Sequence, residues 1–388
     1  MKRSAFIAAG GGAIAGALGV PARAQYLNNP AYLQQVTIGV NVTLSGPLQK
    51  YGTEVVRGVQ AAVDETNRFT APISRVWGMR TYDDRDDIAV AANNANVAAA
   101  DSTVIGIVGN LTAPMTLAAL SRYANVNFAL VVPTVTADAI TNRNYHNVFR
   151  LPAKDSASGR LFASTVLPEK RGVSAIAVSL DGDYGYDVAR GFVQEAKSER
   201  HDADVLLFPV KGFDPAQAAR TVLQHSPGYV FLCGTTASLG PLADALRLAG
   251  YGGDFGASDG FYNGDTIATY SKTLAGAYVA SSLPPLERIP SAVGLLTDFE
   301  REVGQITAFS AYGYAAAQVL INASQRSAAY TRFSLLASMQ RSPTITTLVG
   351  QYSFNVFGDP LIPNIYVYTV GSSGFKFARP AVRNGFVL

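Results

Sequence analysis

The pentapeptide Gly256-Ala257-Ser258-Asp259-Gly260 contains two residues that could do chemistry. As a G-x-S-x-G motif it would be the nucleophile elbow of a hydrolase, with Ser258 as the attacking group. That fold places its catalytic histidine after the serine and the acid. The last histidine here is His225, which precedes Ser258. We therefore interpret the elbow as a coincidence and Asp259 as an acid that a strand end offers to a cleft.

The chain offers little for a metal ion or a cofactor. His146, His201 and His225 are scattered and lack the H-x-x-x-H spacing of a zinc site. The acids at 181–187 lack the Gly and Glu that a calcium-binding EF-hand loop needs at its sixth and twelfth positions. The first predicted strand is not followed by a dinucleotide fingerprint, and no phosphate-binding P-loop motif occurs. We expect no metal and no cofactor.

Small, hydroxyl-rich loops follow many of the predicted strands. Backbone amides at helix N-termini, together with hydroxyl groups, can hold a carboxylate. Asp259 could pair with an ammonium group through a charge-assisted hydrogen bond, and Tyr51, Tyr184 and Phe309 could wall an apolar side chain. Together these features predict a site for a zwitterion. The loops are 45–47, 109–113, 133–136, 184–185, 234–236 and 258–260.

The N-terminus has the features of a secretory signal peptide. Lys2 and Arg3 precede an uncharged run of about 16 residues, and Ala22-Arg23-Ala24 is a typical cleavage site. We expect cleavage after Ala24, which leaves 388 − 24 = 364 residues with 31 − 3 = 28 basic and 28 acidic side chains. A net charge near zero argues against nucleic acid as a partner. Since Cys233 is the single cysteine, no intrachain disulfide forms, and the bacterial periplasm is the predicted location.

Short apolar runs alternate with helical patterns along most of the chain, which predicts an α/β fold. Runs that are β-branched on both faces indicate parallel sheets covered by helices on each side. The alternation of strand and helix patterns begins again after Leu151, so two doubly wound lobes are expected, with the ligand between them. The predicted strands are 36–43, 76–82, 104–108, 128–132, 173–179, 205–210, 229–233, 254–257, 277–281, 348–354, 365–370 and 375–378.

Seven segments, in this order and spacing, resemble the type I periplasmic binding proteins of ABC importers, in particular the branched-chain amino acid group. They are IGVNVTLSGPLQKYGTEVVRGVQAAVDETN, VIGIVGNLTAP, VVPTVTADAIT, VFRLPAKDSASG, DGDYGYDVARGF, FGASDGF and AFSAYGYAAAQ.

The resemblance implies a set of ligand-binding residues. Ala113 stands where the family usually has a serine that binds the carboxylate. Asp259 stands where a glutamate usually takes the amino group, and Thr134-Val135 replaces smaller residues. The implied residues are Tyr51, Leu111, Thr112, Ala113, Thr134, Val135, Thr136, Tyr184, Thr235, Asp259 and Phe309.

The resemblance also implies an organisation and a working cycle. The expected parts are a signal peptide at 1–24, an N-terminal lobe at 36–151 plus 283–362, and a C-terminal lobe at 152–282 plus 363–388. A three-segment hinge near Leu151, Ser282 and Pro363 would let the cleft close on the ligand. The closed monomer would then dock on a membrane permease, without catalysis.

Three readings differ in ligand or role. A branched-chain or other apolar amino acid is the first expectation for the ligand. An aromatic carboxylate, or an amide or urea, is the alternative in the same fold. A periplasmic sensor that signals to a receptor would share the fold but not the permease.

Overall fold

The computed structural model describes residues 34–69, 75–170, 172–182 and 184–381. The predicted signal peptide at 1–24 lies outside these residues. None of the helices in the described ranges combines the length and the apolar character that a membrane span requires.

The first lobe is built on a five-stranded parallel sheet with the order β2-β1-β3-β4-β5. Its strands are β1 (Gln34–Val42), β2 (Arg75–Asp83), β3 (Val104–Gly109), β4 (Ala129–Val132) and β5 (Val148–Arg150). Helices α1 (Gln49–Phe69), α2 (Ile88–Ala100) and α3 (Ala113–Asn125) connect the first four strands. Strands β3 and β4 are buried along their whole length, as the β-branched runs predict.

The second lobe is built on a seven-stranded sheet with the order β14-β13-β10-β9-β8-β6-β7. Its parallel strands are β6 (Ala175–Asp181), β7 (Ala203–Pro209), β8 (Tyr229–Leu232), β9 (Asp254–Ala257) and β10 (Tyr278–Ser281). Its helices are α4 (Asp155–Val166), α5 (Tyr186–Ser198), α6 (Pro215–Gln224), α7 (Thr236–Leu248) and α8 (Gly264–Tyr270). The antiparallel edge consists of β13 (Tyr366–Val370) and β14 (Phe375–Pro380).

After β10 the chain returns to the first lobe. It forms the helices α9 (Pro290–Val293), α10 (Leu296–Val303), α11 (Ala308–Gln325) and α12 (Arg332–Gln340), and the hairpin β11 (Ile345–Thr347) and β12 (Gly350–Tyr352). Many apolar side chains of this segment share one core with β1 and α1. The chain thus passes between the sheets after β5, after β10 and before β13. The predicted fold class, two doubly wound α/β lobes, is confirmed, while the lobe boundaries stay a prediction.

The predicted strand at 348–354 is confirmed only in part: β12 covers Gly350–Tyr352, whereas the first two residues are not in a strand. Leu348 and Val349 form the turn of the β11–β12 hairpin and are almost completely buried. The amide of Leu348 donates to the side-chain oxygen of Gln318 on α11, at 2.7 Å. Gly350 follows with φ +116°, a conformation that favours glycine. The apolar run therefore marks a buried turn, because its residues pack against α11 instead of continuing a strand.

Close backbone contact joins α1 to α11. A Cβ at Gly58 would lie 2.0 Å from the carbonyl oxygen of Ser310, and one at Gly313 would lie 2.4 Å from that of Val55. Only glycine fits at both positions, so the two helices touch through their backbones. This contact fixes how the N-termini of α1 and α11 lie relative to each other.

The second lobe uses the same arrangement between α4 and α5. A Cβ at Gly159 would lie 2.0 Å from the carbonyl oxygen of Val188, and one at Gly191 would lie 2.2 Å from that of Ser156. The close contact holds the start of α4 beside the start of α5. Both helix starts lie at the carboxyl ends of the strands.

The fully buried side chain of Arg150 connects the passage after β5 to the passage before β13. Nε and Nη2 of Arg150 lie 3.0 and 2.8 Å from Oδ1 of Asp359. Its Nη1 donates to the carbonyl oxygens of Thr136 and Ala137, both at 2.7 Å. One side chain thus connects the end of β5, the loop after β4 and the segment that leads towards β13.

We predict that Asp359→Ala lowers the free energy of unfolding by about 3–5 kcal/mol, because it leaves the Arg150 charge buried and unpaired. Urea titration of the purified protein measures this. The control is Asp298→Ala, which breaks an exposed pair with Arg301 (2.8 Å) and should cost under about 1 kcal/mol. Equal losses in the two variants would contradict the structural role of Arg150.

Candidate ligand-binding site

Hydrogen bonds to Asp84 connect the loops that follow β1, β2 and β3. Asp84 is completely buried and accepts a hydrogen bond from the hydroxyl of Thr43 at 2.7 Å. Its second oxygen accepts from the side-chain amide of Asn110 at 3.3 Å. The buried acid therefore fixes the start of the loop that carries Leu111, Thr112 and Ala113.

Thr112 is the N-cap of α3, but its hydroxyl does not cap the helix. The Oγ1 atom is buried and has no hydrogen-bond partner among the described residues. Ala113 begins the helix and Pro114 has no N–H, so the backbone amides near this hydroxyl are those of Ala113 and Met115. The hydroxyl of Thr134 donates to the carbonyl oxygen of Leu111 at 3.1 Å and joins this loop to the one after β4. This end of the first lobe suits an anionic group.

The loop after β4 places the side chain of Val135 in the core and that of Thr136 beside Asp155. Val135 is only 5% exposed and packs in the first lobe's core, so its side chain is directed to the interior and only its backbone remains for a ligand. The hydroxyl of Thr136 hydrogen-bonds to the carboxyl group of Asp155, and its carbonyl oxygen accepts from the amide of Asp155 at 2.9 Å. The hydroxyl that the resemblance assigns to the ligand thus has a protein partner in this structure.

Two predicted residues of the second lobe contact each other directly. The hydroxyl of Tyr184 donates to the carboxylate of Asp259. Burial raises the pKa of Asp259, while the Tyr184 hydroxyl and the backbone amides of Asp259 and Gly260 act in the opposite direction. Burial and the nearby charges of Asp259 and Asp155 raise the pKa of Tyr184 well above its usual value. The tyrosine is therefore a neutral hydrogen-bond donor that orients the acid.

Sequence reasoning missed Asp155, which lies in the same cluster. It is the first residue of α4, only 5% exposed, and its Oδ1 has no partner among the described residues. Burial, followed by the negative charge of Asp259, raises its pKa to about 8. An acid at the start of a helix is commonplace in a sequence. Only the tertiary structure shows that this one is buried beside a second acid.

The proposed elbow serine is a structural residue. Ser258 is completely buried, and its hydroxyl donates to the carbonyl oxygen of Gly234 at 2.9 Å and accepts from its amide at 3.1 Å. The hydroxyl of Thr235 forms a capping box with Ser238 at the start of α7. Both hydroxyls therefore hold the ends of β8 and β9 in place. Within the described ranges, no group of His, Cys, Asp and Glu side chains could hold a metal ion.

Aromatic rings of the first lobe lie at the starts of α1 and α11. The rings of Tyr51 and Phe309 pack with their centroids 4.6 Å apart and their planes at 34°. Burial raises the pKa of the nearby α11 residue Tyr312 well above its usual value, and Asp259 of the second lobe contributes to this shift. The acid of the second lobe is therefore near enough to α11 to influence a buried phenol there.

The comparisons with known proteins agree with this geometry. The family described as "Periplasmic binding protein" matches residues 35–374. A Leu/Ile/Val-binding protein homolog of Brucella abortus is 22% identical over 339 residues, which cover 86% of this chain and 90% of that protein. The leucine binding protein of Thermotoga maritima has a TM-score of 0.78 at 19% identity, over 90% of this chain and 100% of that chain. A solute binding protein of R. palustris in complex with benzoate has a TM-score of 0.73 at 17% identity, over 90% and 98%.

We predict that Ser258→Ala lowers the free energy of unfolding by about 1–3 kcal/mol, because it leaves the buried amide of Gly234 without an acceptor. Denaturant unfolding measures this, and a p-nitrophenyl ester assay run in parallel tests for a nucleophile. Ester hydrolysis in the wild type that the substitution abolishes would contradict the structural role of Ser258.

Proposed function

Since this chain belongs to the periplasmic binding protein family, we propose that it is the solute-binding component of an ABC importer. In this proposal it captures a small amino acid-like ligand between its lobes and delivers it to a membrane permease. The predicted signal peptide supports export to the periplasm, and family membership supports a binding role without catalysis.

The observation that carries the proposal is that each lobe holds one of the two chemical groups that a zwitterion needs. The first lobe presents the unpartnered hydroxyl of Thr112 beside the first amides of α3. The second lobe presents Asp259, oriented by Tyr184. A carboxylate suits the first group and an ammonium suits the second. A ligand that satisfies both is a zwitterion, and an α-amino acid has this form.

The side chain of the ligand is proposed to be apolar. The packed rings of Tyr51 and Phe309 offer an aromatic wall on the first lobe. Proteins named as leucine binding or Leu/Ile/Val-binding occur among the similar structures and relatives. We therefore favour a branched-chain or other apolar amino acid.

An aromatic carboxylate is the second candidate, because a structural neighbour was solved with benzoate. Such a ligand could use the Thr112 end of the cleft and the aromatic wall. It carries no cation for Asp259, however, and it would bring a negative charge towards the buried Asp155 and the partly buried Asp259, whose pKa values are already raised by burial. The cleft therefore favours a ligand with an amine.

The working cycle rests on the three passages of the chain between the sheets. Hinge motion there would open the cleft, and ligand contacts with both lobes would favour the closed form. The closed form is the proposed partner of the permease. A sensor role would use the same closure, and a genetic test would separate the two: deletion abolishes uptake of the ligand in an importer but only its signalling in a sensor.

We predict that L-leucine raises the melting temperature of the purified protein in a panel of amino acids, aromatic acids, amides and urea. In Asp259→Asn, leucine affinity should fall by more than tenfold, because an unpaired buried ammonium costs roughly 2–5 kcal/mol and tenfold is about 1.4 kcal/mol. Isothermal titration calorimetry measures this. The control is Asp265→Asn, which removes an exposed acid in the first turn of α8. Stabilisation by benzoate but by no amine-bearing compound would overturn the amino acid proposal.

A second prediction concerns the carboxylate end. Thr112→Val keeps the shape of the side chain but removes one hydrogen bond to a charged group, which contributes about 1.5–3 kcal/mol. Affinity for L-leucine should therefore fall by roughly tenfold or more. Affinity for L-leucinamide, which has no carboxylate, should fall much less. Equal losses for the two ligands in calorimetry would show that Thr112 does not contact the carboxylate.

A further inference from the structure

Asp155 is a buried acid for which the protein supplies too few partners. It lies where the chain enters the second lobe after β5, and the residue is only 5% exposed to solvent. The hydroxyl of Thr136 bonds to the carboxyl group, but Oδ1 has no partner among the described residues. A buried carboxyl oxygen without a donor is costly, so its presence indicates a missing partner.

Asp259 is in the opposite situation. Its carboxylate already accepts from the hydroxyl of Tyr184, and the backbone amides of Asp259 and Gly260 also bond to it. An incoming ammonium group has three N–H donors and cannot place all of them on this one carboxylate. The negative charge of Asp259 raises the pKa of Asp155, so the two carboxyl groups are near neighbours.

We propose that Asp155 is a second ligand-contacting acid, which accepts a hydrogen bond from the ligand's ammonium group together with Asp259. On binding, Asp155 loses its proton to solvent, so that capture of an amine-bearing ligand is coupled to proton release. This inference rests on the proposed function, because it requires a cationic group on the ligand.

The charges that face Asp155 support this coupling. Asp259 and Asp138 are both acids, and they disfavour a further negative charge. Arg150 is the nearby cation, but its guanidinium is held by Asp359 and by backbone carbonyls. The phenol of Tyr184 and the thiol of Cys233 are also close, and burial keeps both neutral by raising their pKa values well above the usual ones.

The neighbouring ions on other elements have partners of their own. Asp138 accepts from the amide and the hydroxyl of Ser156, which follows Asp155 on α4. On α5, Oδ1 of Asp187 lies 3.8 Å from Nη1 of Arg190. Before α4, Nζ of Lys154 lies 3.8 Å from Oδ2 of Asp359. No described cation therefore neutralises the pair Asp155 and Asp259 directly, which leaves that role to the ligand.

The direction of the proton linkage follows from the pKa of Asp155. It is about 8 in the ligand-free protein, so the group is mostly protonated near neutral pH. An opposite charge within hydrogen-bonding distance lowers a carboxyl pKa by about 1–3 units. The bound form then prefers the ionised acid, and affinity rises with pH from the lowered pKa up to about pH 8.

The test is calorimetry of L-leucine binding to the full exported protein at pH 7, in phosphate and in Tris, whose ionisation enthalpies differ. A fall of one to two pKa units predicts release of roughly 0.4–0.8 proton per leucine, and a roughly 5- to 25-fold gain in affinity from pH 6 to pH 8. In Asp155→Asn, both proton release and the pH dependence should disappear. In Asp155→Glu, both should remain. The control Asp204→Asn, which changes an exposed acid near the amino end of β7, should behave as the wild type does.

The outcomes separate the two proposals. Leucine binding with equal heats in both buffers would overturn the role of Asp155 and leave the proposed function standing. The same holds if proton release persists in Asp155→Asn. Failure of every amine-bearing compound to bind would overturn both proposals. Should Asp155→Asn unfold, the wild type and Asp155→Glu still test the coupling, since equal heats in the two buffers contradict it.

Discussion

The buried guanidinium of Arg150 is the constraint on which the rest of the site depends. It contacts Asp359, 209 residues away in the sequence, and the backbone of the loop that carries Thr136. A buried charge requires its partners to be correctly placed, since an unpaired one is strongly destabilising. The position of the Thr136 loop, and with it the partner of Asp155, is therefore coupled to the passages between the lobes.

Much of the fold could be predicted from the sequence, because buried parallel strands appear there as runs rich in β-branched residues. All strands of the second sheet were anticipated to within a few residues. Strand β5, with only three residues, was missed because three residues are too few for a pattern. The hairpin turn at Leu348 and Val349 was mistaken for a strand, because a turn buried against α11 is as apolar as a strand.

The candidate site was less predictable than the fold. Sequence reasoning drew attention to Tyr184 and Asp259, both through the strand-end loops and through the resemblance, and the structure places them in contact. It could not show that the side chain of Val135 lies in the core or that the hydroxyl of Thr136 is occupied. Asp155 escaped notice because its importance comes from burial and from a neighbour about a hundred residues away. Sequence patterns report local periodicity, whereas a perturbed acid is a property of the assembled cleft.

The division of chemistry between the lobes explains why such a site needs two of them. The first lobe supplies neutral donors, the Thr112 hydroxyl and the helix amides, while the second supplies the acids Asp155 and Asp259. If one lobe held both groups side by side, the acids and the donors would satisfy each other without a ligand. In the proposed site, Oγ1 of Thr112 and Oδ1 of Asp155 remain without partners until a ligand with complementary ends bridges the two lobes. In this proposal, closure removes the acids from water, which is costly unless an opposite charge lies beside them. Closure is therefore favoured only when the ligand supplies that charge.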